Sequence, residues 1–235
     1  RLRSEVSARR LPRAPLLESL GATLGAIDRG FADFRLPAVR RDLKWDLRRA
    51  GWIRDYLHHL EAGNRRELVE RWLADFDQRV RPALDRLRQS VIFNDANDNN
   101  IVVGGERFAP LVAGVIDFGD LCRTNVVCEP AIAAAYAAMG LADPVAGIGR
   151  LVAGYHAAWP LEEAELEVLH ALVCMRLCVS VTNSAFQKTV EPGNSYLAIS
   201  EQRAWDLLEE LSAVHPRRAL YAWRAACGLP AHPDS

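Results

Sequence analysis

The helical periodicity of this chain breaks once, between residues 91 and 120. Within VIFNDANDNNIVV (91–103), the six positions from Asp95 to Asn100 hold two aspartates and three asparagines. Asp and Asn are poor strand formers and only mediocre helix formers, because their side chains bond to nearby backbone or to ions. Such a cluster marks a tight turn or a cation site. Beyond it, IVV at 101–103 and LVAGVIDF at 111–118 are apolar and β-branched, joined by the turn-rich GGERFAP. That pattern predicts a β-hairpin. A hairpin folds back on itself, so its polar entrance, with Asp95 and Asn100, meets its acidic exit, with Asp117 and Asp120.

The flanking sequence reads as helix. Leu16, Leu17, Leu20, Leu24 and Ile27 predict an amphipathic helix over 14–35. A short, heavily charged helical region follows Pro37. Residues 65–90 carry Leu68, Trp72, Leu73, Phe76, Val80, Leu84 and Leu87 on one side and predict a long helix. Further helices are expected at 130–140, 145–157, 162–187, 198–213 and 217–227. The fold class is therefore mainly α with one small β-hairpin.

Composition narrows the functional classes. With 29 basic and 30 acidic residues the net charge is −1, which argues against a basic nucleic-acid-binding face. No apolar run reaches the ~20 residues of a membrane span, and the basic N-terminus RLRSEVSARRLPR lacks the apolar region of a secretory signal. The five cysteines read as reduced thiols of a cytoplasmic protein. Cys174 and Cys178 lie one helical turn apart, but no further Cys or His completes a metal set, so they read as core thiols.

The spacing Asp95-x4-Asn100 followed by Asp117-Phe118-Gly119 suits phosphoryl transfer. Two oxygen ligands beside a third carboxylate fit Mg²⁺, which takes carboxylates, amides and phosphate oxygens. In that arrangement the first Asp accepts the proton of the attacking hydroxyl, and the Asn and second Asp hold the metal. Two plainer readings compete. One is an ordinary polar turn. The other is a calcium loop with Asp95, Asn97, Asn99 and Glu106 at ligand positions, but it places Asn100 where glycine is expected and a strand where a helix should begin.

FNDANDNNIVV followed by GVIDFGD resembles the paired motifs of the aminoglycoside phosphotransferase and choline kinase-like superfamily. NDANDNN and IDFGDLCRTNVVCEPAIAAAYAAM are similar to its hydroxylysine kinase branch, which includes kinase-like domains fused to pyridoxal-phosphate-dependent aminotransferases. The resemblance implies a protein-kinase-like C-terminal lobe, with Asp95 as catalytic base and Asn100 and Asp117 as Mg²⁺ ligands. It implies ATP or GTP as co-substrate and a small-molecule acceptor. Two features depart from the pattern. Phe93 stands where the family has a loop-organising His. No G-x-G-x-x-G and no strand-borne lysine precede Asp95; Lys44 lies in a helical-looking stretch. Residues 1–235 are therefore expected to form a single C-lobe, with the catalytic hairpin at about 91–120, the N-terminal nucleotide lobe absent from this chain, and further domains belonging to a longer polypeptide.

Asp120 and Asn97 are expected to support the site from behind, with Asp120 also able to cap the next turn. Glu129 before Pro130 reads as a helix start, with a buried arginine partner as an alternative. For the acceptor, the helical lobe would form the pocket. Trp45 could stack on an ammonium and Asp46 pair with it, with Asn183 alongside; the alternative for each is packing or capping. The expected function is Mg²⁺-dependent transfer of a γ-phosphoryl group to a hydroxyl of a small amine-bearing metabolite. The competing expectation is a non-catalytic, pseudokinase-like module of a larger enzyme.

Overall fold

The structure is a computed structural model that describes residues 13–106, 109–191 and 195–230. The basic N-terminal stretch and the tip of the hairpin, Arg107 and Phe108, lie outside them. Helix α1 spans Arg13–Gly30, ending five residues earlier than its periodicity suggests. The charged region after Pro37 forms a 13-residue 3-10 helix, Leu47–His59, rather than an α-helix. Helix α2 (Asn64–Asp75) continues through a π turn, Phe76–Val80, into the short α3 (Arg81–Leu84). Strand β1 is Gln89–Ile92, β2 Ile101–Glu106, β3 Ala109–Val115 and β4 Cys122–Asn125. Helices α4 (Cys128–Ala137), α5 (Pro144–Ala158), α6 (Glu163–Val190), α7 (Ser195–Ser212) and α8 (Pro216–Ala226) complete the chain.

The predicted hairpin forms, with β2 and β3 antiparallel and a bulge at Val102/Val103. A second pairing was not anticipated: β1 runs antiparallel to β4, from Gln89 opposite Asn125 to Ile92 opposite Cys122. The helix expected over 65–90 is therefore cut short at Leu84. The Asn125 side chain explains the stop. Its Nδ2 donates to the carbonyls of Leu84 (2.8 Å) and Leu87 (3.2 Å), satisfying acceptors that a helix end leaves open. Just before β1, Arg88 grips the fully buried Glu165 of α6 with two hydrogen bonds, 2.7 and 2.9 Å. The strand pair therefore leads straight into the polar loop with its backbone already fixed.

The core gathers around the 28-residue α6, buried on nearly every side from Leu166 to Val181. A helix apolar all round belongs in an interior. Each fully buried Leu or Val there contributes about 1.5–3 kcal/mol. Helices α1 and α5 cross in close contact because both offer glycine. A Cβ on Gly21 would lie 1.9 Å from the Leu151 carbonyl oxygen, and one on Gly154 2.1 Å from that of Glu18. Only a hydrogen fits at either place. This approach brings Tyr155 of α5 against Asp28 of α1, 2.7 Å from hydroxyl to carboxylate. All five cysteines are free, and Cys174 and Cys178 are fully buried in the core. Among the described residues, no helix is long and apolar enough to cross a membrane.

Candidate active site

The polar loop opens with two residues whose backbone is held by buried acids. The Phe93 N–H donates to Asp28 at 3.2 Å, and the Asn94 N–H donates to Glu129 at 2.6 Å. Asn94 takes a positive φ of 67°, a left-handed geometry that Asn tolerates better than most residues. Burial pushes the Asp28 carboxyl well above its usual range, and the charge of Glu129 adds to that rise. Burial likewise raises Glu129, to about 7, with the nearby Asp95 contributing. Glu129 does sit at a helix start, in the first turn of α4. Its hydrogen-bond partner is the Asn94 amide rather than an arginine.

Beyond this brace the Asp95 side chain is half-buried and doubly held. Asn97 Nδ2 donates to one carboxylate oxygen at 2.8 Å and Asn100 Nδ2 to the other at 2.6 Å. Desolvation raises the Asp95 pKa; the two asparagines and the Arg176 charge oppose the rise, and Asp120 adds to it. With its amide nitrogen turned to Asp95, Asn100 presents its oxygen Oδ1 elsewhere. Asn100 also anchors the far side of the hairpin, its carbonyl accepting from the Ile116 N–H at 3.0 Å. Asp117 is the next residue. The entrance and exit of the hairpin do meet.

Asp117 is exposed and also left-handed, with φ 62°. Its carboxylate caps the 3-10 turn Phe118–Asp120 by accepting from the Gly119 N–H at 3.1 Å. A non-glycine residue held there stores backbone strain. Arg41 donates to the carbonyls of Gly119 and Leu121 and holds the turn from outside. The Phe118 ring meets Phe93 edge-on at 5.2 Å and Phe31 at 6.4 Å. Phe93 is thus a fully buried apolar support.

The calcium-loop alternative does not fit. Glu106, its twelfth position, lies in β2 opposite Ala109, where that motif needs an exit helix. Among the described residues no group of three or more His, Cys, Asp and Glu side chains surrounds a common point. The available donors are Asn100 Oδ1 and the Asp117 carboxylate, an amide and an acid. That pair fits an ion that completes its shell with phosphate oxygens and water.

The residues expected to meet the acceptor are divided by the structure. Asp46 is buried, accepting from the Thr124 hydroxyl at 2.7 Å and the Arg48 N–H at 3.1 Å. It caps the 3-10 helix and ties it to β4, so the capping reading describes it. Trp45 packs against Arg176, whose Cζ lies 5.6 Å from the indole ring. Asn183 binds a lysine, Lys44, at 3.0 Å. Sequence reasoning missed Asp28, on a helix 65 residues before Phe93, and Arg176. A charged residue at a core-facing helical position was the one available signal for each.

A phosphotransferase enzyme family model matches residues 3–166 of the chain. The hydroxylysine kinase of Mus musculus is 28% identical over 205 residues, covering 83% of this chain and 54% of that protein. The Bos taurus hydroxylysine kinase is 28% identical over 212 residues, covering 86% and 56%. The chain thus spans about half the length of these relatives. Among solved structures, the amicoumacin kinase hAmiN, in complex with AMP-PNP, Ca²⁺ and Ami, superposes with a TM-score of 0.58 at 12% identity. That match covers 87% of this chain and 62% of the kinase, and it bears on the fold alone. The mainly α architecture with its small hairpin is a protein-kinase-like fold, and the chain belongs to the phosphotransferase enzyme family.

Proposed function

We propose that this chain is the acceptor-side lobe of a small-molecule kinase, moving the γ-phosphoryl group of ATP or GTP to a hydroxyl of an amine-bearing metabolite. The observation that carries the reading is the Asp95 carboxylate, gripped by Asn97 and Asn100 at the mouth of a hairpin whose exit bears Asp117. Asp95 takes the proton of the acceptor hydroxyl. Desolvation moves its pKa upward, toward the range in which a base works best near neutrality. The asparagine amides fix the carboxylate plane, so the attacking oxygen meets a base that needs no reorganisation. Asn100 Oδ1 and Asp117 would hold Mg²⁺, which would supply positive charge to offset that on the transferred phosphoryl group. Asp120, half-buried beside them, tunes Asp95 by its charge.

In this reading the nucleotide-positioning lobe lies outside residues 1–235. Val102, Val103 and Leu111 of the hairpin are exposed apolar side chains, the kind of surface a second lobe covers. The span of about half the relatives' length agrees with it. The five free thiols suit the reducing cytoplasm. The test is phosphoryl transfer by the full-length protein with ATP and GTP, Mg²⁺ and a panel of amino alcohols and hydroxy amino acids. Asp95→Ala should lower the rate about 10²–10⁴-fold, and Asp117→Asn should abolish the Mg²⁺-dependent transfer. Unchanged transfer in Asp95→Ala would overturn the assignment of the base. Absence of both transfer and Mg²⁺-dependent nucleotide affinity would favour a non-catalytic module.

A further inference from the structure

The chain has only two lysines against 27 arginines, and one of them sits in an aromatic box. The Lys44 ammonium lies 4.1 Å from the centroid of Trp52, 5.3 Å from Trp45, 5.4 Å from Tyr56 and 5.7 Å from Phe186. The rings stand nearly square to one another: 85° between Trp45 and Trp52, 84° between Trp52 and Tyr56, 78° between Tyr56 and Phe186. They form walls, not a stack. The carbonyl oxygen of Asn183 accepts from the ammonium at 3.0 Å. Trp52 and Tyr56 come from the 3-10 helix and Trp45 from the turn just before its cap, Asp46; Phe186 and Asn183 come from one turn of α6.

This is the geometry that recognises a compact cation. An arginine would stack flat on one ring rather than occupy the centre, so the exceptional lysine at position 44 matches the box. Lys44 is nevertheless a loosely held occupant. Its side chain is exposed, its ammonium makes one hydrogen bond among the described residues, and desolvation lowers its pKa. The box also adjoins the catalytic loop. The Trp45 wall touches Arg176, whose charge acts on Asp95.

Resting on the acceptor reading above, we propose that this box is the ammonium subsite for the acceptor and that Lys44 is its built-in competitor, a tethered ammonium that the substrate's own ammonium must displace. Asp46 then plays no part as counter-ion, since its carboxylate is spent on Thr124 and Arg48. The box discriminates for amines through ring faces and one amide oxygen, and Lys44 sets how much affinity an amine needs before it enters.

The probe is tetramethylammonium chloride, offered to the full-length protein without nucleotide or acceptor and followed by saturation-transfer NMR, with sodium chloride at equal ionic strength as blank. Lys44→Ala empties the box and should lower the Kd for tetramethylammonium about ten-fold or more, the scale of one or two cation–π contacts. Adding Trp52→Leu should abolish the gain. Lys44→Ser serves as an independent opening variant. Equal binding by the parent protein and both Lys44 variants, or no binding by any, would overturn the proposal. Because no phosphoryl transfer is read, this result is independent of the kinase assignment. Where transfer is measurable, Lys44→Ala should lower KM for an amino alcohol but not for the matching amine-free alcohol; equal shifts would also overturn it.

Discussion

The two halves of the candidate site are held in opposite ways. The entrance, Phe93 to Asn100, is anchored from inside by two buried carboxyls, and each oxygen of Asp95 has an amide on it. The exit, Asp117 to Leu121, is exposed from Asp117 to Gly119, left-handed at Asp117, and held by one outlying arginine and an edge contact between rings. The difference fits the chemistry proposed for each half. A base must stand in place before the acceptor arrives, whereas a metal ligand would take its final place only with its ion. Stability is concentrated where position matters early.

Asp28→Ala should break this contrast most severely. It strands two buried donors, the Phe93 N–H and the Tyr155 hydroxyl, each worth about 1–3 kcal/mol. Thermal unfolding should register a large loss, and a loss no larger than for an exit-side variant would erase the contrast. The Phe93→His replacement tests the apolar contact with Phe118. It places an imidazole N–H in a fully buried site and should cost about 1–3 kcal/mol, visible as a lower denaturation midpoint; unchanged stability would mean that the pocket offers a polar partner. Glu129 sharpens the comparison through pH. Its folded pKa lies above its unfolded value, so the native state binds more protons. Its contribution is therefore fullest below about 4.5 and falls as pH rises toward about 7. Glu129→Gln should flatten that part of the stability profile, and an unaltered slope would remove Glu129 as its source. Arg41→Ala, on the exposed exit, should shift stability by only about 0.5 kcal/mol yet weaken Mg²⁺-dependent nucleotide affinity of the full-length protein. A loss as deep as that of Asp28→Ala would show the exit to be as firmly built as the entrance.

Local patterns carried much of this molecule. Leucine spacing announced α1, two β-branched apolar runs with a turn-rich connection the hairpin, and the NDANDNN and DFG runs the two ends of the candidate site. What was lost depended on distance. QSVI at 89–92 is too short and apolar to separate from the preceding helix, and its partner β4 lies beyond the hairpin. The helix stop at Leu84 is written in Asn125. The 3-10 winding of 47–59 is set by its packing, since its charged sequence suits either helix. Asp46 and Trp45 were singled out as a pair for one task. Capping claimed the first, while the second became a wall around a lysine that nothing nearby marked as special.

The scarcity of lysine has a practical consequence. Reductive methylation with ¹³C-formaldehyde keeps the positive charge and labels amines, so a chain with two lysines yields two side-chain resonances to assign. Lys188, paired with Glu201 at 2.7 Å, should resonate where solvated lysines do. Lys44, facing four rings, should be displaced upfield by their ring currents. Any compound that empties the box would return the second signal to the first.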